Sequence, residues 1–132
     1  MRIEMQQVEG RRFAIRARGN EVIVDDTIEA GGPGDGFRPS ELVLGALAAC
    51  MAGTMLTFAR NQEIPIHGIS IRVEDESADH PDRIARIFVD MTVDADATER
   101  QKASLQRVAS ACKIHNTLER SPEIALEFTV RP

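Results

Sequence analysis

The two cysteines, Cys50 and Cys112, are the residues of this 132-residue chain whose side chains could carry covalent chemistry. They lie far apart in the sequence and form no local Cys-x-x-Cys motif. A thiolate can attack a peroxide O–O bond and become a sulfenic acid, which a second thiol converts into a disulfide. Free cysteines are also common as small, inert core residues. The pattern alone therefore leaves open a peroxide-reactive pair, a disulfide switch and two inert thiols.

A metal centre is the chemistry that the sequence supports least. A structural zinc site needs four nitrogen or sulfur ligands, and the chain adds only the three histidines His67, His80 and His115. Among these, only His115 is close in sequence to a cysteine, three residues after Cys112. We therefore predict neither a metal nor a cofactor.

Cys50 lies in the middle of the long apolar stretch 37–60. After Pro39 almost every residue favours a helix and no wide polar stripe remains, which is typical of a membrane span or of a buried helix. The apolar part is about 15 to 18 residues long, at or below the length that crosses a bilayer. Pro39 and Glu41 suit the first turn of a helix, and its end is expected near Asn61. We predict a central helix that is buried on all sides and does not enter a membrane.

Segments with period-two alternation predict strands before and after this helix. They are residues 2–8, 11–18, 21–25, 69–73, 85–93 and 124–130. Gly19-Asn20 is predicted as the turn of the first hairpin, and the Gly- and Pro-rich residues 30–36 as a loop. The last strand has the clearest alternation, with an inward apolar face formed by Ile124, Leu126, Phe128 and Val130.

Cys112 lies in or just after a second predicted helix. Asp96 and Glu99 resemble a capping box, and apolar residues follow with helical spacing at Leu105, Val108, Ala109 and Cys112. Alternatively, Ser110 caps a separate short helix that begins at Ala111 and holds Cys112 in its first turn. The order of elements predicts an α+β fold in one domain, residues 1–132. A single hairpin cannot cover the long helix on both sides, so we expect a homodimer.

The composition excludes several classes of function. The net charge is −5, and the chain has five Phe but neither Trp nor Tyr, which argues against nucleic-acid binding. The N-terminus is charged and has no apolar stretch of the kind found in signal peptides. A cytoplasmic location is therefore expected, and in that compartment a structural disulfide is uncommon.

The segment Pro39-Ser40-Glu41-Leu42, followed by Ala48-Ala49-Cys50, resembles the first motif of the OsmC/Ohr family of thiol-dependent peroxidases. The later segment ACKIHNTL, residues 111–118, resembles the second cysteine helix of that family. The order of elements matches as well, and the resemblance spans nearly the whole chain. It places the sequence nearer the OsmC-like branch than the Ohr branch.

This resemblance implies an OsmC-like fold and an intertwined homodimer with a two-cysteine site at each subunit interface. Cys50 would be the peroxidatic thiol and Cys112 the resolving thiol in the reduction of organic hydroperoxides. A dithiol reductant would regenerate the pair, and the role would be defence against oxidative stress. Two alternatives remain: a non-enzymatic module that binds a small hydrophobic ligand at the dimer interface, and a disulfide redox sensor.

The resemblance leaves open which cation would activate Cys50. In the Ohr branch a glutamate holds an activating arginine, but here Ser40 occupies the position of that glutamate. Glu41 lies one residue later, which is a rotation of about 100° on a helix. The candidate arginines are Arg12, Arg16, Arg18 and Arg38, with Arg18 slightly favoured. Lys113, which stands where many relatives have proline, could also help to hold a thiolate, but a solvated surface lysine is the favoured interpretation.

Overall fold

The computed structural model describes the whole chain, Met1–Pro132. Its elements in chain order are β1 (Glu4–Glu9), β2 (Arg12–Ala17), β3 (Asn20–Val24), α1 (Pro39–Asn61), β4 (Ile66–Ala78), β5 (Arg83–Ala95), α2 (Glu99–Ala109) and α3 (Lys113–Glu119). The strands form one sheet in the order β1-β2-β3 and a second sheet of β4 and β5. This arrangement confirms the predicted α+β class with one long helix.

The chain divides into two compact units. The first contains Met1–Ala46 and Glu74–Ile87, and the second contains Leu47–Val73 and Phe88–Pro132. Ala14 and Val24 are the buried apolar residues of the first unit. The larger core belongs to the second unit and consists of Leu47, Met51, Met55, Ala59, Ile64, Leu105, Ala109 and Cys112. A single domain over residues 1–132 stays a prediction.

The first unit is built on the antiparallel sheet β1-β2-β3. Ala17 pairs with Asn20 at the end of β2, so the central residues of the turn are Arg18 and Gly19, with φ angles of 53° and 81°. Positive φ at both central positions suits the right-handed twist of a two-residue hairpin. The predicted turn at Gly19-Asn20 is therefore displaced by one residue. Arg18 occupies the tip of this hairpin.

Helix α1 begins at Pro39 and ends at Asn61, as predicted. The Glu41 carboxylate accepts a hydrogen bond of 2.7 Å from the Arg38 backbone N–H, so it serves as a cap for the first turn. Burial on all sides is wrong for the single chain. The buried residues are spaced four apart and form one stripe: Leu47, Met51, Met55 and Ala59. By length and a mean hydropathy of 2.0 the helix could also cross a membrane, a test that core helices of soluble proteins pass.

Strands β4 and β5 extend the predicted segments 69–73 and 85–93 at both ends. Their connection, residues 79–82, is too short for a parallel crossover, so they form an antiparallel hairpin. In the second unit the end of this hairpin leads to α2. The Asp96 backbone N–H is bonded to Pro65 O at 3.0 Å, and the Asp96 carboxylate contacts His67 Nε2 at 2.9 Å. Asp96 therefore belongs to the hairpin stem and does not cap α2.

The capping box of α2 is formed by Thr98 and Gln101, two residues later than predicted. The Thr98 hydroxyl accepts from Gln101 N at 3.2 Å, and the Gln101 side chain accepts from Thr98 N at 2.9 Å. The helix buries Leu105 and Ala109, in agreement with the predicted apolar face. It ends at Ala109, with Ser110 as the C-terminal cap.

The predicted strand over residues 124–130 is wrong for the single chain, because residues 121–132 have no regular secondary structure. Its alternating apolar side chains are exposed to 88%, 82%, 80% and 76% at Ile124, Leu126, Phe128 and Val130. A strand gains its hydrogen bonds and its buried face only from a neighbouring strand. This segment pairs with none in its own chain, and it leaves a row of apolar side chains in solvent.

Candidate functional site: two thiols at the start of a short helix

Helix α3 brings the two cysteines together in the second unit. The Cys50 Sγ, in the middle of α1, accepts from the Ile114 backbone N–H at 3.5 Å. The Cys112 Sγ accepts from the His115 backbone N–H at 3.3 Å. Two successive N–H groups of one helical turn therefore hold the two sulfur atoms. The residues that the sequence pattern singled out are neighbours in space.

Cys112 is the N-terminal cap of α3, with extended backbone angles (φ −76°, ψ 158°). The predicted separate short helix is confirmed, but it begins at Lys113 and not at Ala111, so Cys112 caps this helix and is not part of its first turn. The other prediction, which places Cys112 on the same helix as Leu105, is wrong because α2 ends at Ala109. The first N–H groups of a helix have no partner within the helix, and a cap residue satisfies them with its side chain. Cys112 performs this with a thiol, where Ser or Asp is usual.

The two thiols differ in burial and in acidity. Cys50 is half-buried, and its pKa is lowered chiefly by the Ile114 N–H, although burial opposes this. The Cys112 thiol, the backbone N–H of Lys113 and the Thr54 hydroxyl lower the pKa of Cys50 further. Cys112 is only 1% exposed, and burial, followed by the neighbouring Cys50, raises its pKa. Cys50 is therefore the thiol that ionises first.

The lowered pKa of Cys50 comes mainly from uncharged donors. Backbone N–H groups at a helix N-terminus stabilise an anion because their dipoles point at it. Lys113 contributes through its backbone N–H, while the residue itself is exposed on the surface. The predicted role of the Lys113 ammonium group in holding a thiolate is therefore taken by the peptide backbone.

Arg12 is one of the four arginines predicted as candidates to activate Cys50, and it is engaged in the first unit. It forms an ion pair with Asp35 and lies 3.8 Å from the Asp25 Oδ2. The Asp25 side chain is fully buried and also accepts from the Asp35 backbone N–H at 3.2 Å. Hydrogen bonding to Asp25, together with Arg12, lowers the pKa of Asp35. Arg12 therefore supplies the positive charge beside a buried carboxylate.

Two further candidate arginines also have carboxylate partners in the first unit. Arg16 Nε lies 2.6 Å from Glu21 Oε2, and Arg38 Nε lies 3.5 Å from Asp26 Oδ1. The favoured candidate, Arg18, lies at the hairpin tip and is exposed. The geometry thus gives Arg12, Arg16 and Arg38 structural partners, and it singles out none of the four as the activator of Cys50.

Replacing Arg12 with alanine is expected to lower the free energy of unfolding by about 2–3 kcal/mol, because Asp25 would stay buried without its counter-charge. Urea denaturation followed by circular dichroism measures this loss. Arg16→Ala is the matched control, since the Arg16–Glu21 pair is half-exposed and such pairs contribute about 0–1 kcal/mol. Equal effects of the two substitutions would contradict the assignment of Arg12 to the buried carboxylate.

Thr54 is a site residue that sequence reasoning missed. It lies four residues after Cys50 on α1, so the two side chains share one face of the helix. The spacing of four residues within a predicted helix could therefore have identified Thr54 as a neighbour of Cys50. The contribution of the Ile114 backbone had no such signal, because it depends on where α3 packs against α1.

A cleft of about 460 Å³, lined by both apolar and polar side chains, lies in the same unit. It is lined by Met51, Met55, Val89, Asp90, Met91, Val93, Gln106, Ala109 and Ser110. Met51 directly follows Cys50 on α1, so this cleft borders the helix that carries the first thiol. No group of three or more His, Cys, Asp or Glu side chains is arranged to hold a metal ion.

The fold and the site together define a class of protein: an α+β protein with a reduced, neighbouring thiol pair whose members differ in acidity. The model of the OsmC-like protein family matches residues 32–127. The chain therefore belongs to the OsmC-like family. The matched region includes both cysteines and α1.

Solved structures of similar fold support this assignment. A protein from Psychrobacter arcticus, described as belonging to the osmotic stress induced and detoxification response, has a TM-score of 0.80 at 23% identity, with 87% of this chain and 85% of that chain covered. An OsmC-like protein from Mycoplasma pneumoniae gives 0.79 at 21% identity, covering 91% and 87%. The organic hydroperoxide resistance protein OhrB of Bacillus subtilis gives 0.60 at 22%, covering 92% and 93%. At these identities the likeness establishes the fold. No curated protein matches the sequence.

Proposed function

We propose that this protein is a thiol-dependent peroxidase that reduces organic hydroperoxides, with Cys50 as the peroxidatic and Cys112 as the resolving cysteine. The observation that carries the proposal is the placement of both sulfur atoms on successive N–H groups of α3. The pKa shifts of the two thiols have opposite directions, and the thiol with the lowered pKa is assigned the peroxidatic role because the thiolate is the nucleophile. Cys50 has the lowered pKa and Cys112 the raised one.

The reaction begins when the Cys50 thiolate attacks one oxygen of the hydroperoxide. The O–O bond breaks, the alkoxide takes a proton and leaves as the alcohol, and Cys50 becomes a sulfenic acid. The Cys112 thiol then attacks the Cys50 sulfur, which releases water and forms the Cys50–Cys112 disulfide. A dithiol reductant supplies two electrons and two protons to restore both thiols.

The preference for an organic hydroperoxide is supported by the apolar part of the cleft beside α1. Its walls include the side chains of Met51, Met55 and Met91, which are flexible and adapt to irregular apolar groups. A cleft of about 460 Å³ falls within the size range of small-molecule sites. The structural relative from Bacillus subtilis is named for resistance to organic hydroperoxides. The physiological role that we propose is defence against oxidative stress in the cytoplasm, away from membranes.

We further propose that the working form is an intertwined homodimer. Only one stripe of α1 is buried in the single chain, and Val43 and Leu56 are 38% and 43% exposed. The C-terminal residues 124–130 pair with no strand of their own chain and present four exposed apolar side chains. A second copy can cover both surfaces through a symmetric exchange of this segment.

Titration of the reduced protein with cumene hydroperoxide tests the proposed reaction. One equivalent per chain is expected to consume both thiols and to produce a Cys50–Cys112 disulfide, identified by mass spectrometry of a non-reduced digest. Hydrogen peroxide at the same concentration should react more slowly because it has no apolar group to contact the methionine side chains of the cleft. Two thiols that survive excess cumene hydroperoxide would refute the proposal.

A second candidate is a binding module that holds a small hydrophobic ligand while its cysteines stay inert. The cleft of about 460 Å³ favours it. An apolar molecule that is retained through purification, together with thiols that resist hydroperoxide, would establish this alternative. A disulfide redox sensor differs in turnover: it would oxidise once but show no steady-state consumption of hydroperoxide with a dithiol.

A further inference from the structure

His115 lies between Cys112 and an acidic side chain on α3. Its Nε2 is 2.8 Å from Glu119 Oε1, one helical turn further on. Its Nδ1 is buried and has no hydrogen-bond partner, although 29% of the side chain is exposed. Buried polar atoms are nearly always satisfied, and an exception commonly marks a functional group. Neither the cap of α3 nor the ionisation of Cys50 uses this imidazole.

His115 contacts the Cys112 sulfur through its backbone. Cys112 is the N-terminal cap, and its sulfur accepts from the backbone N–H of His115, the third residue of the helix. In a capping box the side chain of the third residue reaches back towards the cap residue. The same spacing occurs in this chain at Thr98 and Gln101, where both halves of the box are formed. The His115 imidazole therefore has the correct spacing to act on the Cys112 thiol.

Glu119 determines which nitrogen of His115 is available. A carboxylate accepts hydrogen bonds only, so the nitrogen that faces it, Nε2, carries the proton. The neutral ring then has its lone pair on Nδ1, the buried nitrogen without a partner. Cys112, His115 and Glu119 thus have the order of nucleophile, base and orienting carboxylate that activates nucleophiles in other enzymes.

We propose that His115 is the general base that deprotonates Cys112 during disulfide formation, with Glu119 as the residue that orients it; this role rests on the proposed peroxidase function. Cys112 needs such a base because it is buried, and burial raises its pKa. Cys50 does not, because backbone N–H groups already lower its pKa. In the resting state Nδ1 has no partner, and catalytic hydrogen bonds often form only when the reacting groups approach.

The step balances without any further reactant. Nδ1 of His115 takes the proton from the Cys112 thiol, and the Cys112 thiolate attacks the sulfur of the Cys50 sulfenic acid. The S–S bond forms as the S–O bond breaks, and the departing hydroxide takes the proton from the imidazolium to leave as water. His115 returns to its neutral form. The other titratable groups around the His115 imidazole are those of Glu119 and Lys113 on α3 and the thiols of Cys50 and Cys112.

His115→Gln is the test, because glutamine can keep a polar contact with Glu119 but has no base at the position of Nδ1. In single-turnover experiments with cumene hydroperoxide, Cys50 of the variant should react with the hydroperoxide at the parental rate. Disulfide formation should slow by about 10²-fold, and a dimedone-reactive sulfenic acid at Cys50 should accumulate. Disulfide formation at the parental rate would overturn the proposal, as would an equal slowing of both steps.

Two further variants control for structural effects. His67→Gln removes the other histidine–carboxylate pair of this unit, in which His67 Nε2 lies 2.9 Å from Asp96, and it should leave both steps unchanged. Glu119→Gln keeps His115 and lies on the exposed surface. It should slow disulfide formation alone, and by less than His115→Gln does. Slowing by His67→Gln to the extent of His115→Gln would overturn the assignment of the base.

A measurement without hydroperoxide separates this inference from the proposed function. In the Cys50→Ser background Cys112 is the remaining thiol, and the ultraviolet absorbance of its thiolate can be followed against pH. Adding His115→Gln should shift the appearance of the thiolate to higher pH, because the proton acceptor is gone. An unchanged titration would overturn the role of His115 even in an active peroxidase. If His115→Gln shifts the titration of Cys112 but the parent protein does not react with hydroperoxide, only the peroxidase function is refuted.

Discussion

Cys50→Ser is expected to lower the rate of cumene hydroperoxide consumption by about 10³-fold or more, because a serine hydroxyl does not ionise near neutral pH and cannot replace the thiolate. A coupled assay with a dithiol reductant measures the rate. The substitution retains a polar atom that can accept from the Ile114 N–H, so the folded structure should survive. Consumption at the parental rate would remove Cys50 from the mechanism.

Cys112→Ser is the matched control, since it removes the second sulfur and keeps the first. This variant should react with hydroperoxide once, at close to the parental rate, and then stop as a Cys50 sulfenic acid. Its steady-state rate should fall strongly because no disulfide forms for the reductant to attack. If Cys112→Ser lost the first step and Cys50→Ser kept it, the two roles would be reversed.

The same single-turnover reaction should depend on pH through Cys50. The pKa of this thiol is lowered, chiefly by the Ile114 N–H. The reactive thiolate is therefore present at pH values where an unperturbed cysteine is still protonated, and reactivity is lost as the pH falls through the lowered pKa. Thr54→Val removes one hydroxyl donor and should move this loss to higher pH.

Phe128→Asp is expected to weaken the homodimer by about 10²-fold or more. A charge would then have to be buried in the centre of an apolar interface, where single residues often contribute 2 kcal/mol or more. Phe128 is 80% exposed in the single chain, so the substitution has no core contact to disrupt within that chain. Analytical ultracentrifugation over a range of concentrations measures the dissociation constant.

Thr129→Asp is the control, because residue 129 lies outside the alternating apolar row of Ile124, Leu126, Phe128 and Val130 and is polar already. It should leave the dissociation constant within a few-fold of the parent. A parent protein that sediments as a monomer would refute the proposed dimer. A dimer that Phe128→Asp leaves intact would show that residues 124–130 are not part of its interface.

Local sequence patterns predicted most of the secondary structure correctly. The bounds of α1 follow from Pro39, Glu41 and the change of composition after Asn61, because these residues act through their own backbone and first turn. The strands other than the last follow from period-two alternation, which reports a half-buried surface. The capping residue of α2 was predicted wrongly because a tertiary contact competes with the local pattern. The Asp96 carboxylate bonds to His67, and Thr98 is the cap of α2 instead.

The C-terminal segment shows the limit of periodicity. Alternation at residues 124–130 indicates that one face must be buried, but it carries no information on which chain provides the cover. In the single chain these side chains are exposed. Alternation along a strand shows that its apolar face needs to be covered, but the surface that covers it depends on how the folded chains are arranged.

The sequence by itself determined the class of fold, the long apolar helix around Cys50 and the two segments that place this chain in the OsmC-like family. These properties depend on residue type and on spacing along the chain, which are local quantities. The tertiary structure alone decided that the Cys50 and Cys112 sulfur atoms accept from successive N–H groups of α3, that backbone N–H groups lower the pKa of the first thiol, and that the buried Nδ1 of His115 has no hydrogen-bond partner. Those properties depend on distances between residues that are remote in the chain, and such distances are fixed only when α1 and α3 pack together.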